Sequence, residues 1–444
     1  MATHTCTHHQ QRSALLIVWL VVFIDLLGFG VVLPVLPRQA REYLQQADPA
    51  VQGAVIGGLL SVFSLMQFVF APAWGRWSDR VGRRPTLLLS LTGSVVFYSL
   101  YGVAVSLPPE WWVWAVTLMG VSRAGAGMAG ASVGVAAAVI ADCTPPDKRA
   151  RGMALIGIAF GAGFTLGPLI AYFGLALFGR QSWGVGALAA LLSLLALIAA
   201  AVLMPETRQG QRPAESGRAL LSWQRTRQVL ALPMVGRLIA AYFLTICAFA
   251  QFEATLALLT QVVFGLSEDD NFLVFAAVGM VLLVAGGTYR GVVRRWGEQK
   301  LLGAGLVLML AGLAGVGAVA GSGMDVAPQV KLGVFYGVVA TAVVGFACVN
   351  PSLTALVSRG APADRQGEVL GVNQGFAALG RIVGPFVGSL LFPLTSRPVL
   401  PYVSALLLLG LAASLVWGVI RSAEAAACCT EAPAGNAPAK EQVN

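Results

Sequence analysis

Charge is scarce in this sequence, and so are the residues on which enzyme chemistry usually rests. Only 11% of its 444 residues are charged, against roughly 25% in an average soluble protein. With 57% hydrophobic residues, the chain cannot supply polar surfaces for globular domains, which excludes an ordinary soluble enzyme. All three histidines (His4, His8, His9) sit in the N-terminal tail, so no catalytic triad, metal cluster or paired-carboxylate site can be assembled further along. The tail histidines and Cys6 are too few and too irregular for a zinc module. Of the four lysines (Lys148, Lys300, Lys331, Lys440) none follows glycine, so the phosphate-cradling loop of ATP-driven pumps is missing. The six cysteines include single ones at Cys143, Cys247 and Cys348 and a tail pair, Cys428-Cys429, which is no disulfide framework. A GxGxxG match at Gly125, Gly127 and Gly130 lies inside an apolar run with no preceding strand. It reads as helix packing in lipid. Neither an enzyme, a cofactor nor a metal is expected.

What is present is long uncharged runs. A spanning helix needs roughly 20 mostly apolar residues, and eight windows of that order lack charge: 49–75, 85–109, 152–179, 182–205, 271–289, 301–324, 332–358 and 398–420. Four more hold one ionisable residue each: 13–37 with Asp25, 111–141 with Arg123, 238–267 with Glu253 and 369–396 with Arg381. Twelve spans place both termini on one side. Of the 29 Lys and Arg, 22 fall in the tails and the loops on that side, among them Arg76, Arg80, Arg83 and Arg84. Five fall on the other: Arg38, Arg41, Arg180, Lys331 and Arg397. Basic loops stay cytoplasmic, so both termini are expected there. The net charge of +9 is therefore topology, and nucleic acid is not an expected partner.

The expected fold is all-α and polytopic, with twelve transmembrane helices in two pseudo-symmetric six-helix bundles. The divisions are an N-tail (1–12), a first bundle (13–207), a cytoplasmic linker (208–237), a second bundle (238–421) and an Ala- and Pro-rich tail (422–444) of disordered composition. No cleavable signal pattern precedes the first span, which is long enough to cross. A repeat runs across the linker. Gly75–Pro85 (GRWSDRVGRRP) aligns with Arg290–Lys300 (RGVVRRWGEQK), and Gly167-Pro168 recurs as Gly384-Pro385. Two related halves are the architecture of a large class of secondary transporters.

Ionisable groups inside a bilayer cost roughly 2.5–3.5 kcal/mol each on insertion scales and mark functional pathways. Asp25 and Glu253 occupy equivalent spans, the first and seventh, and any proton carrier within the membrane must be one of them. Arg123 and Arg381 are their expected charge partners, and plain structural ion pairs are the competing reading. Gln67, Asn350, Asn373 and Gln374 are candidate cavity residues; interhelical hydrogen bonding is the competing reading for some of them.

The segment GRWSDRVGRRP, with Gly75, Asp79, Arg80, Gly82, Arg83 and Arg84, resembles the loop between spans two and three of the major facilitator superfamily. The resemblance implies a cytoplasmic gate at Asp79, supported by Arg80, Arg83 and Arg84. The second-half copy has Arg294 in the place of Asp79. Three further segments are similar to those of twelve-span drug–proton antiporters. DLLGFGVVLPVLP (Asp25–Pro37) resembles the first span of tetracycline exporters. GIAFGAGFTLGP, with Gly157, Gly161, Gly163, Gly167 and Pro168, resembles the antiporter motif, and Pro205-Glu206-Thr207 closes span six. Arg123 falls where that family has its fourth-span arginine, beside the first-span acid. Glycines so placed serve plain helix packing as well as rocking. The chain departs from tetracycline exporters in having Val95-Val96-Phe97-Tyr98 where they carry an acid, and no charge in spans eight and nine. It also resembles the eukaryotic tetracycline-transporter-like organic-anion exporters around 61–89 and 152–168.

The resemblance implies a proton-coupled exporter of small amphipathic organic compounds, monomeric, in the cell membrane, with the lipid bilayer, protons and an organic substrate as partners. The competing readings are an uncoupled facilitator, an organic-anion exporter, and a non-transporting receptor or scaffold on the same fold.

Overall fold

In hydrocarbon, backbone N–H and C=O groups must be satisfied within helices or closed barrels. The described residues take the helical route, with no strand among them. The computed structural model describes residues 8–144, 149–207, 223–321, 327–362 and 365–430. Most of the N-tail, the first half of the linker and the end of the C-tail lie outside them. Among the described residues, twelve helices are long and apolar enough to cross a membrane. In order, spans 1 to 12 are Ser13–Val32, Pro49–Val81, Arg83–Val105, Pro109–Cys143, Gly161–Phe178, Gly184–Leu203, Met234–Phe264, Glu268–Trp296, Glu298–Gly321, Pro328–Gly360, Glu368–Leu394 and Leu400–Val419. Each overlaps one window expected from charge spacing. The helices overrun those windows where arginines reach the interface: span 2 continues through Arg76 and Arg80, and span 8 through Arg290, Arg294 and Arg295. Arginine stems can lie along apolar surface there while their heads stay wet.

The packing repeats between halves. Span 1 lies along span 5 and span 3 against span 4; correspondingly span 7 lies along span 11 and span 9 against span 10. The repeated glycines occupy equivalent places. Gly82 ends span 2 with φ 118° and Gly297 ends span 8 with φ 75°, a region that only glycine enters without strain. A Cβ on Gly167 would stand 3.1 Å from the Leu27 carbonyl oxygen of span 1, and one on Gly384 would stand 2.6 Å from the Cys247 carbonyl oxygen of span 7. A short helix, Leu36–Tyr43, follows span 1 where the sequence had suggested only a loop. It is tied down by Tyr43, whose hydroxyl donates to the Leu107 carbonyl at 2.7 Å.

Two seams join the halves, span 2 with span 11 and span 5 with span 8. Ser61 Oγ donates to the Ile382 carbonyl at 2.6 Å, Thr165 Oγ1 donates to the Gly279 carbonyl at 2.9 Å, and Arg180 pairs with Asp269. Gly53 and Gly57 let span 2 lie directly on the backbone of Leu390 and Phe386. These contacts lie from the bilayer middle to the external ends of their spans, so the protein is closed outside and open toward the cytoplasm. Gly57→Val should disfavour this form, because its Cβ alone would stand 2.9 Å from the Phe386 Cα. Overpacking of that kind costs about 1–3 kcal/mol. Cytoplasmic maleimide labelling of a cysteine placed at Gln374, in a background without native cysteines, should fall severalfold; unchanged labelling would show that the seam is not required.

Candidate transport site

Asp25 lies midway along span 1 and is 2% exposed. Its Oδ2 accepts a hydrogen bond from Ser132 Oγ at 2.9 Å, and its Oδ1 has no partner. Ser132 is presented by a break in span 4. The helix Trp112–Ala129 gives way to a 3-10 turn, Gly130–Ser132, before continuing as Val133–Cys143. A methyl group on Gly130 would stand 3.3 Å from Gln67 Nε2 and 3.9 Å from Asp25 Cγ. Asp25, Gln67 and the span 4 break therefore surround one point. Gln67 spends its amide on the Gly130 carbonyl at 3.0 Å, which is an interhelical tie.

Arg123 is not the partner of Asp25 in this form. It is 1% exposed, and Nε, Nη1 and Nη2 all lack hydrogen-bond partners. Its guanidinium instead stacks over Phe63 at 4.5 Å and Phe29 at 5.7 Å. The expected ion pair is corrected by helix arithmetic: Asp25 is level with Gly130, and Arg123 lies seven residues earlier, roughly 10 Å toward the external face.

In the second half, Glu253 and Arg381 feel each other electrostatically but form no ion pair within 4.0 Å. Glu253 Oε1 is buried without a partner, and Arg381 is exposed. A cavity of about 490 Å³ is lined by Tyr242, Asn350, Thr354, Ser358 and Gln374. The Tyr242 hydroxyl donates to Asn350 Oδ1 at 2.6 Å. Asn373 is not part of this wall: it is 0% exposed and neither amide atom has a partner. One residue along a helix turns a side chain by about 100°, so Gln374 meets the cavity and Asn373 the packed interior.

The cytoplasmic motif ties spans 2, 3, 4 and 6 together. Arg83 pairs with Asp79 at 2.7 Å and with Asp142 of span 4 at 3.2 Å, and it donates to Ser78 Oγ. Arg84 donates to the Ala201 carbonyl of span 6 at 2.6 Å. Glu206, from the closing Pro-Glu-Thr segment, accepts the backbone N–H groups of Arg83 and Arg84 at 2.9 and 3.1 Å. It thereby caps span 3, whose first N–H groups would otherwise be unsatisfied. Gly82 is needed below it, since a Cβ there would meet the Glu206 carboxylate. The Asp79 side chain remains 55% accessible. Gly75 has open space around it. Asp142 and Ser132 were not legible as site residues, because neither an acid at a span end nor a serine within a span carries a signal until the fold brings its partner.

The antiporter glycines divide. A Cβ on Gly163 would stand 2.8 Å from the Phe23 carbonyl oxygen, and Gly167 rests on Leu27 and Gly30, so both press span 5 onto span 1. Gly161 faces open space. The surroundings of Gly157 lie outside the described residues. Pro168, inside the helix, has its Cδ 3.6 Å from where a Cβ on Gly30 would be.

Two like helical halves, sealed on one side and open on the other around buried ionisable groups, define a membrane transporter rather than an enzyme. Residues 18–385 match the sequence profile of the Major Facilitator Superfamily, and the chain belongs to that family. It is 31% identical over 386 residues to the tetracycline resistance protein, class E, of Escherichia coli, covering 84% of this chain and 87% of that one. It is 27% identical over 458 residues to major facilitator superfamily domain-containing protein 10 of Mus musculus, covering 93% and 94%. The crystal structure of the human organic anion transporter MFSD10 superposes with a TM-score of 0.60 at 26% identity, covering 91% of this chain and 99% of that one.

Proposed function

We propose that this protein exports small amphipathic organic compounds in exchange for protons, by alternating access, as a monomer in the cell membrane. Asp25 is the principal proton carrier, and Glu253 is a second one. The observation that carries the reading is Asp25 itself: a mid-span carboxylate with no ion pair and one oxygen free, where an unpaired charge would be costly. A group so placed is held neutral in one conformation and can ionise in the other. The similarity to tetracycline resistance proteins makes tetracyclines natural first probes. Purified protein in proteoliposomes should accumulate substrate when a pH gradient is imposed and move protons in return. Flux down a substrate gradient with no proton movement would make it an uncoupled facilitator, and no flux over a panel of cationic, zwitterionic and anionic drugs would leave a receptor or scaffold.

Asp79 belongs to the gate and not to the cavity. In the cytoplasm-open form it holds Arg83, and closing the cytoplasmic side would bring it to the other half. Asp79→Asn should therefore slow turnover roughly tenfold or more, while substrate affinity stays within about twofold, the loss of a single charged contact being worth about 1.5–3 kcal/mol. Separate measurements of Kd and single-turnover rate decide this. A large loss of affinity with normal turnover overturns the placement.

A further inference from the structure

Resting on the transport reading, the next question is by which route an amphipathic substrate reaches the cavity, and the two seams between the halves differ in what they leave open. Both are held near mid-span, by Ser61 on the Ile382 carbonyl and by Thr165 on the Gly279 carbonyl. Residues seven apart share a helix face, so two turns nearer the cytoplasm the first seam continues with Phe68 and Gly375, and the second with Ile158 and Gly286. Phe68 bridges the first: a Cβ on Gly375 would stand 3.8 Å from its Cε2. In the second, Ile158 is exposed, and a Cβ on Gly286, or on Gly161 one turn from Ile158, would have no heavy atom of the described residues within 4 Å.

Span 8 records what the missing contact does. Of residues 283–292 all but Ala285 and Tyr289 are exposed, and at 100° per residue the exposed positions cover about 240° of the helix circumference without a break. The covered remainder faces span 10, where Tyr289 and Ser352 share a hydrogen bond at 3.0 Å. A helix with a neighbour on each flank exposes one strip to lipid and another to the cavity, divided by those neighbours. Here the two strips are one, so lipid and cavity are continuous between spans 5 and 8. The external half of the same span is packed, with Phe272, Val274, Phe275 and Val278 buried. The opening runs from Gly279 to the exposed Arg290, whose charged head belongs at the interface. That is about 16 Å of helix at 1.5 Å per residue, and half of a hydrocarbon core of roughly 30 Å is of the same size. Leu283 and Val284, exposed along it, make it apolar.

We propose that this opening is the substrate's entrance: an amphipathic compound dissolved in the cytoplasmic leaflet passes sideways between spans 5 and 8 into the cavity. The substrates are then compounds that partition into lipid, sorted by that partition before they touch the cavity wall. Gly161 and Gly286 also allow the two spans to close on each other when the cytoplasmic side shuts, since small residues let helices approach closely in lipid.

The test uses the full chain in proteoliposomes, in a background without native cysteines. Bimane attached to Gly286→Cys should be quenched both by iodide in the water and by dibrominated phosphatidylcholine in the bilayer. Labels at Gln374→Cys, on the cavity wall, and at Leu407→Cys, exposed on span 12, calibrate the water and lipid responses. Quenching of the Gly286→Cys label by only one of the two agents, or by neither, overturns the proposal. A second measurement asks whether the opening is a passage. Dodecylmaleimide dissolved in the bilayer should label Gln374→Cys, and adding Gly286→Trp should cut that rate severalfold while labelling by a water-soluble maleimide stays unchanged. If tryptophan slows neither reagent, or both alike, no separate route from lipid exists and the proposal falls. Thermal melting checks the tryptophan variant, and the quenching decides alone if that variant does not fold. Passage of dodecylmaleimide without flux of any drug would keep the entrance and sink the transport reading. Proton-coupled flux in a protein whose Gly286→Cys label ignores the brominated lipid would do the reverse, so the two fail separately.

Discussion

Asp25→Asn is expected to abolish uphill export in proteoliposomes while downhill exchange between substrate pools survives. The substitution keeps size and most hydrogen bonding. Ser132 Oγ can still donate to the amide oxygen as it does to Oδ2 at 2.9 Å, and the amide nitrogen takes the place of Oδ1, which has no partner to lose. The fold should therefore tolerate it. What disappears is the capacity to carry a proton, and each proton crossing the potential supplies about 2.3 kcal/mol per 100 mV. Without that term the alternating cycle still runs, but only down the substrate gradient. Glu253→Gln should give a milder version, since Glu253 already has the Arg381 guanidinium within electrostatic reach, whereas Asp25 has no cation beside it among the described residues. The decisive measurement is pH-gradient-driven accumulation by the double variant. Concentration of substrate by that protein would refute the mechanism, because Asp25 and Glu253 are the acids set deep within the spans.

The twelve spans, their orientation and the twofold repeat were legible in the sequence because hydrocarbon imposes one rule everywhere: polar side chains must be few and positioned. The charge spacing that located Asp25, Arg123, Glu253 and Arg381 needs no knowledge of packing. Which of them meet does. Asp25 and Arg123 look like a pair when only their spans are known, yet depth within the bilayer separates them by two helical turns, and the 3-10 turn at Gly130–Ser132 supplies Asp25 with a hydroxyl instead. The register of one span against another is set by close glycine contacts such as Gly163 on Phe23 and Leu27, which a single sequence does not display. The same holds for Glu206. Its segment was recognisable, but its work as the cap of span 3 depends on a loop returning 122 residues along the chain. Asn373 and Gln374 were indistinguishable by composition and differ only in the direction they face.

Arg123→Met is expected to leave the cytoplasm-open protein as stable as the wild type or about 1 kcal/mol more stable, and yet to abolish transport. A pair with Asp25 would have predicted the opposite for stability, since stranding one member of a buried pair costs roughly 3–5 kcal/mol. Here the guanidinium is already alone: it is 1% exposed with three unpartnered nitrogens. Desolvating a charge costs several kcal/mol even after relaxation. Against that stand two contacts with Phe63 and Phe29, each worth about 2 kcal/mol when desolvated. Methionine fills similar space and keeps part of the aromatic contact, about 0.3–1.5 kcal/mol, so removing the charge comes out near neutral or favourable. Arg123→Ala should behave differently, losing about 2–5 kcal/mol through the cavity it leaves. A cation retained at such cost in this form has its use in another, where opening of the external side admits water or brings a carboxylate to it. Thermal unfolding of both variants, with transport measured beside it, separates the effects. If Arg123→Met melts as early as Arg123→Ala, the charge is compensated in the cytoplasm-open form after all; if it transports like the wild type, Arg123 is packing alone.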